Sequence, residues 1–212
     1  MQEQEGVIKY QLSHSQQAVA WPMPLTEMNA WRAVMFRLQL IGQDPARYDN
    51  LGFGNISQRV PGGQQFIVSG TQTGHLAWLD SDQFSWVVGA DPRQNLLESK
   101  GSIKPSSEAL THASIYQHDP QIQAVIHVHS PEIWRHSHTL DLPHTTADVP
   151  YGTVAMALAV EQLLASGRLQ ETPVFTMLGH EDGVVAVGAN HQQAAMVLIK
   201  FLAMALAIEQ ER

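Results

Sequence analysis

The sequence predicts a mixed α/β fold in which helices cover one central sheet. Short apolar runs separated by glycine turns fill the middle of the chain, as is typical of strands. Longer segments with apolar residues at helical spacing lie before, between and after these runs. The chain has 212 residues, 44% of them hydrophobic, which is enough for one compact domain with a sizeable core.

The first predicted element is a helix that follows a polar start. We interpret residues 1–24 as an N-terminal extension and residues 25–212 as the domain. Thr26 is the expected N-cap of a helix that runs to about Leu40. Its apolar positions repeat at helical spacing: Met28, Trp31, Val34, Met35 and Leu38.

A β-hairpin and a third strand are expected next. Residues 56–60 and 66–68 are apolar runs that flank the turn Pro61-Gly62-Gly63. Residues 84–88 form another such run. A helix introduced by residues 104–107 should then end near His118, before Asp119-Pro120.

Strands and helices alternate in the second half of the chain. Strands are expected at residues 122–129, 174–178 and 184–187, and a helix rich in Ala, Leu and Met at residues 153–166. Asn190 is the expected N-cap of a last helix, in which Gln193 occupies the third position as in a capping box.

Composition excludes several kinds of site. The chain has no cysteine, so disulfides and thiolate metal sites are excluded, and a transition metal would need His, Asp or Glu ligands. The net charge of −8 and the lack of a basic block argue against a nucleic-acid partner. The apolar run at residues 194–208 is short and contains Lys200, so no membrane span is expected. Without a signal-peptide pattern, we expect a cytoplasmic protein.

A His-x-His pair at the end of an apolar strand is the first candidate site. Alternate side chains of a strand point the same way, so His127 and His129 share one face and could converge on one divalent cation. The spacing alone does not decide this, because 11 histidines placed at random give about half a match in such a chain. His136 and His138 show the same spacing in a polar stretch.

Two further residues are candidates for the same site. His180 follows an apolar strand and enters a glycine turn, although a surface histidine would look the same. Glu108 should lie in the first turn of a helix. The helix dipole favours a carboxylate there without any further role, so this position by itself does not indicate a site.

Five short motifs occur in an order that resembles the class II aldolase/adducin family over about residues 28–208. They are Gly54-Asn55-Ile56-Ser57, Ser69-Gly70-Thr71, Lys104-Pro105-Ser106-Ser107-Glu108, His127-Val128-His129 and Gly179-His180. The resemblance implies a three-layer αβα sandwich with a central, mainly antiparallel sheet, assembled as a homotetramer. It also implies a divalent metal, normally zinc, held by His127, His129 and His180.

The function implied is that of a metal-dependent lyase, an aldehyde-lyase of carbohydrate metabolism. It would cleave or form a C–C bond of a small ketose or hydroxy-carbonyl compound through a metal-stabilised enediolate, with Glu108 as acid and base. A dehydratase or an epimerase could use the same residues. A non-catalytic, adducin-like assembly module is the alternative from another class.

The resemblance also indicates where a sugar or sugar phosphate would bind. Asn55, Thr71, Ser106 and Ser107 occupy the family's phosphate-binding positions. Serines ahead of a helix are also common caps, so this pair has a structural explanation too. Gln72 follows Thr71 where the family has glycine, which predicts a substrate that lacks the phosphate or binds it differently.

Two other departures from the family lie near the expected site. The segment at residues 142–151 has no tyrosine at the place of the family's proton donor, and His144 falls near that place. Tyr151 aligns instead with a family tyrosine just before the following helix. Glu181 and Asp182 follow His180 where glycine is common. These carboxylates could orient a metal ligand or be solvated turn residues.

Overall fold

The computed structural model describes residues 6–211, so the first five residues of the predicted extension and Arg212 lie outside the described part. The helices are α1 (Thr26–Arg37), α2 (Ala109–His118), α3 (Pro131–Arg135), α4 (Val154–Ala165), α5 (Arg168–Glu171) and α6 (His191–Gln210). The strands are β1 (Gln11–Gln16), β2 (Gly42–Gln43), β3 (Gly52–Phe53), β4 (Asn55–Arg59), β5 (Phe66–Ser69), β6 (Phe84–Asp91), β7 (Leu96–Gly101), β8 (Ala124–His129), β9 (His144–Thr145), β10 (Val174–Met177) and β11 (Gly183–Gly188). Short 3-10 helices lie at Tyr48–Asn50, Ser81–Gln83 and Pro92–Gln94.

One large mixed sheet organises the molecule. Its nine strands follow the order β1-β7-β6-β5-β4-β8-β11-β10-β9, while β2 and β3 form a separate pair. The strands at both ends, β1 and β9, pair in parallel with their neighbours, and the pairs between them are antiparallel. The predicted hairpin is confirmed as β4 and β5. The helices and the large sheet together confirm the predicted α/β class.

Apolar cores lie on both faces of this sheet. Along β8, Val125 belongs to one core, and Ile126 and Val128 belong to the other, as the alternation of a strand requires. Helices α2 and α4 contribute to the first core, and α1 and α6 contribute to the second. Because His127 and His129 alternate with Ile126 and Val128, they point to the α2 side of the sheet.

Helix α1 differs from its prediction at both ends. Leu25 is the N-cap and makes no side-chain cap, so the assignment of Thr26 as N-cap was wrong. The helix ends at Arg37, short of Leu40, because Gln39 adopts a left-handed backbone with φ of 59°. The Leu40 carbonyl is thereby free to accept the His129 N–H at 2.9 Å, which ties this turn to β8.

The N-terminal segment contributes a strand that the sequence reading missed. Strand β1 pairs in parallel with β7 along the edge of the large sheet. Strand β7 was also missed. Both strands are mostly polar or half-exposed, so their apolar signal is weak. The division of the chain at residue 25 stays a prediction.

Helix α6 confirms its predicted cap. The Asn190 carboxamide accepts the Gln193 N–H at 2.9 Å. The helix has 20 residues, and its mean hydropathy is 1.4. By length and composition it could therefore cross a membrane, contrary to our expectation. Core helices meet the same criterion, and Ala194, Leu198 and Phe201 of this helix lie in a core.

Candidate metal centre

The sheet brings the three predicted metal-binding histidines together. His127 and His129 lie at the end of β8, where His129 pairs with Gly183 of β11. His180 lies in the tight turn that joins β10 to β11. Since β11 lies directly between β8 and β10, this turn places His180 beside the end of β8.

Their geometry suits a single cation. Ring centroids are 5.0 Å apart for His127 and His129, 5.3 Å for His127 and His180, and 4.8 Å for His129 and His180. One nitrogen from each ring lies within 4.8 Å of the others. Small ring rotations close that spread around an ion with metal–nitrogen bonds of about 2 Å. All three side chains are buried, so the donors are already largely desolvated.

Glu108 completes the cluster. It is the N-cap residue of α2 rather than a first-turn residue, and its side chain is 1% exposed. One carboxylate oxygen lies 3.1 Å from His127 Nε2, and the other lies 2.9 Å from His180 Nδ1. Burial raises the pKa of Glu108, but the charges of His127 and His180 outweigh it and lower this pKa to about 2. Glu108 is therefore a carboxylate at neutral pH.

Electrostatics at His129 favour a metal ligand as well. Burial, and then the neighbouring His180 and His127, hold the pKa of His129 well below its usual value of 6.5. A neutral imidazole is the form that binds a cation, so this histidine need not lose a proton first.

Two tyrosines frame the cluster, and the sequence reading assigned neither a role. The Tyr151 ring stacks on His180 with centroids 4.4 Å apart. The Tyr48 ring meets His129 edge-on at 4.6 Å, and its hydroxyl donates to Asp182 at 2.5 Å. Asp182 also lies 3.5 Å from the Arg47 guanidinium. Asp182 is thus a structural anchor beside the site and not a solvated turn residue.

The segment that carries Tyr48 has an unusual backbone. Tyr48, Asp49 and Asn50 all have positive φ, at 52°, 55° and 59°. Such a conformation costs roughly 1 kcal/mol or more for each non-glycine residue. The contact to Asp182, which is distant in sequence, offsets part of that cost, and no local signal predicts it.

A large cavity opens beside the histidines. It measures about 850 Å³, and among its lining residues are Arg47, Tyr48, Trp134, Arg135, Tyr151 and His180. The cavity is wide enough for a small substrate to approach His180 from solvent. It carries two guanidinium groups in a chain whose net charge is negative.

The four predicted phosphate-binding residues line a second, much smaller cavity. Asn55, Thr71, Ser106 and Ser107 enclose about 20 Å³. The Ser106 hydroxyl accepts the Glu108 N–H at 3.3 Å, just ahead of α2. The structure therefore brings these four residues together.

The remaining histidines lie outside the cluster. His144, which falls near the place of the missing tyrosine, contacts His138 with ring centroids 4.8 Å apart. His136 is buried, and its Nε2 lies 3.6 Å from a Glu209 oxygen. The His-x-His spacing at residues 136–138 therefore forms no three-ligand group in the described chain.

Known proteins resemble this chain in sequence and in fold. Residues 44–207 match the family model described as class II aldolase and adducin N-terminal domain. A protein of Mycoplasma pneumoniae described as a probable L-ribulose-5-phosphate 4-epimerase is 35% identical over 78 residues. That match covers 37% of this chain and spans 30% of the length of that relative.

Solved structures extend the comparison to the whole fold. L-Fuculose-1-phosphate aldolase from Thermus thermophilus superposes with a TM-score of 0.64 at 18% identity, covering 88% of this chain and 93% of that one. A sugar-phosphate aldolase from Thermotoga maritima gives 0.63 at 16% identity, covering 88% and 94%. At these identities the likeness establishes the fold. Together with the family model, which spans most of the chain, it shows that this protein belongs to the class II aldolase and adducin family.

Proposed function

We propose that this protein is a metal-dependent lyase that cleaves or forms a C–C bond next to the carbonyl group of a small hydroxylated compound. The observation that carries the proposal is the convergence of three buried imidazoles, two of them against one buried carboxylate, with a substrate-sized cavity alongside. An adducin-like assembly module would have no use for such a cluster, because buried ionisable groups lower stability unless they bind something.

His127, His129 and His180 would hold the cation, and zinc suits a set of three imidazoles. When bound, a divalent cation supplies a Lewis acid that polarises a carbonyl group and favours negative charge on its oxygen. Glu108 is ionised and lies against two of the three ligands, so it can take a proton from the substrate and return it later in the cycle.

Epimerisation is the second candidate, because the curated relative from Mycoplasma pneumoniae is described as an epimerase. The same residues would serve, since breaking and re-forming a C–C bond on the opposite face inverts a carbon. Product analysis separates the two reactions: a lyase releases two carbonyl fragments, and an epimerase releases one isomer. The homotetramer and the cytoplasmic location stay predictions.

Untagged, zinc-loaded protein tests the proposal in deuterated water with dihydroxyacetone and a set of ketoses. We expect one zinc per chain and exchange of hydrogen for deuterium beside the carbonyl group. Glu108→Gln should retain zinc and lower exchange by about 10²–10⁴-fold. Glu98→Gln, on the exposed side of β7, is the matched control and should exchange normally. Protein that holds no divalent metal, or full exchange in Glu108→Gln, would refute the proposal.

A further inference from the structure

The small cavity next to the metal centre has features that select one class of substrate. It is lined by Asn55, Thr71, Gln72, Ser106, Ser107 and several glycines. Its volume is about 20 Å³.

Gln72 closes the cavity at a cost to the backbone. Its φ of 58° lies in the left-handed region, where glycine is at ease and other residues are disfavoured by roughly 1 kcal/mol. Its side-chain carbonyl accepts the Gly52 N–H at 3.2 Å. Gln72 keeps this unfavourable backbone conformation, and its side chain thereby occupies the Gly52 N–H group.

Three other backbone donors around the cavity are engaged as well. Gly70 N–H donates to Gln83 O at 2.9 Å, and Thr71 N–H donates to Lys104 O at 3.0 Å. Ser106 N–H donates to Ser69 O at 3.2 Å. Anion sites without cationic side chains depend on backbone N–H groups that point at the ligand. No lysine or arginine lines this cavity in residues 6–211.

Asn55 adds a positive requirement. Only 5% of this residue is exposed, and its side-chain oxygen Oδ1 has no hydrogen-bond partner among the described residues. A buried acceptor without a donor is costly, by about 1–3 kcal/mol. A hydroxyl group of a ligand would supply that donor, whereas a phosphate dianion carries only acceptors.

The N-terminal segment, residues 6–10, packs against the cavity and the metal centre. Gly6 lines it next to the Gln72 side chain. The Tyr10 hydroxyl donates to Ser106 O at 2.7 Å, and Lys9 Nζ donates to Tyr151 O at 3.2 Å. The segment is therefore fixed both to the cavity wall and to the tyrosine that stacks on His180.

We propose that the substrate presents a hydroxyl group, and not a phosphate, to this cavity, so that the protein acts on unphosphorylated hydroxy-carbonyl compounds. This separates it from the relatives above, whose names carry phosphorylated sugars. The inference rests on the proposed function for the carbonyl group that meets the metal, and it adds the chemistry at the other end of the substrate.

The test compares dihydroxyacetone with dihydroxyacetone phosphate, titrated into zinc-loaded protein in a calorimeter. We expect the wild-type protein to bind dihydroxyacetone at least as tightly as its phosphate. Gln72→Gly removes the side chain while the backbone keeps a conformation that suits glycine. It should raise affinity for the phosphate at least tenfold relative to affinity for dihydroxyacetone.

Gln39→Gly is the matched control, since Gln39 is exposed, has φ of 59° and lies outside the cavity lining. It should change neither affinity. Tenfold tighter binding of the phosphate by wild type, or an unchanged phosphate affinity in Gln72→Gly, would overturn the inference. If zinc-loaded protein does not bind dihydroxyacetone phosphate and also catalyses no deuterium exchange, the proposed function alone is refuted. Faster exchange with the phosphate would refute this inference alone.

Discussion

Two groups of buried histidines lie in this fold, and their partners differ. His112 and His191 both bond Ser57, the first to its hydroxyl at 2.7 Å and the second to its carbonyl oxygen at 3.1 Å. His127, His129 and His180 instead surround one another and a carboxylate. One neutral partner suits a histidine that fills a core, whereas several imidazoles around one point suit a cation.

Burial and pKa alone do not separate the two groups. Burial lowers the pKa of His112 to about 3 and that of His191 to about 4. It also lowers the pKa of His129 in the metal centre. All three are therefore neutral at pH 7, so a depressed histidine pKa marks burial here. The number of nitrogen atoms that converge is what distinguishes a candidate metal site.

The largest effect should follow from removing one converging imidazole. His127→Ala leaves two ligands, so we expect zinc affinity to fall by at least about 100-fold, measured by competition with a chromogenic chelator. His138→Ala removes a histidine of the other His-x-His pair and should keep full affinity. Equal losses in both variants would mean that the loss of affinity is not specific to the metal centre.

His112 and His191, the two histidines that bond Ser57, should make the stability of the protein depend on pH. Folded His191 stays neutral down to about pH 4, whereas the unfolded chain protonates it below its ordinary pKa of 6.5. The unfolded state therefore binds more protons in that interval. The contribution of His191 is complete above pH 6.5 and is lost as the pH falls toward 4, by up to about 3 kcal/mol.

Urea unfolding of wild type and His191→Gln at several pH values measures this dependence. The free energy of unfolding should fall less steeply between pH 6.5 and 4 in the variant, because glutamine does not titrate. Zinc content at pH 7 should be the same in both proteins. Parallel pH profiles would show that His191 does not contribute.

Ser57→Ala should lower the free energy of unfolding without changing zinc binding. The Ser57 hydroxyl contacts both His112 Nδ1 and the Tyr116 hydroxyl at 2.7 Å, so its loss leaves two buried polar groups short of a partner. We expect a loss of about 2 kcal/mol in the free energy of unfolding. Ser114→Ala is the control: its hydroxyl contacts only Leu110 O within α2, and the expected loss is below about 0.5 kcal/mol. Loss of zinc from Ser57→Ala would contradict the separation of the two groups.

The smallest effect is expected at the rim of the metal centre. Tyr48→Phe keeps the ring against His129 and removes the hydroxyl that donates to Asp182. We expect a loss of about 1 kcal/mol in stability and less than a tenfold change in zinc affinity. A change in zinc affinity as large as that of His127→Ala would make Tyr48 part of the centre itself.

Local patterns predicted the central strands and the longest helices well. The hairpin of β4 and β5, strand β8 and the Asn190 cap follow from alternation, turns and side-chain hydrogen bonds within a few residues. Strand β1 was missed because its pairing with β7 joins residues far apart in sequence and buries little apolar surface. The left-handed turn at Tyr48 was missed because a contact to Asp182 stabilises it.

The sequence by itself determined which residue types were available to the site: three imidazoles and a carboxylate in recognisable short motifs, without any thiol. Strand periodicity also decided that His127 and His129 share a face. Only the tertiary structure decided that His180 and Glu108 meet them and that Gln72 and Gly6 line the neighbouring cavity. Those contacts join segments that are distant in the chain. Strand order and loop packing set their geometry, and no local pattern encodes either.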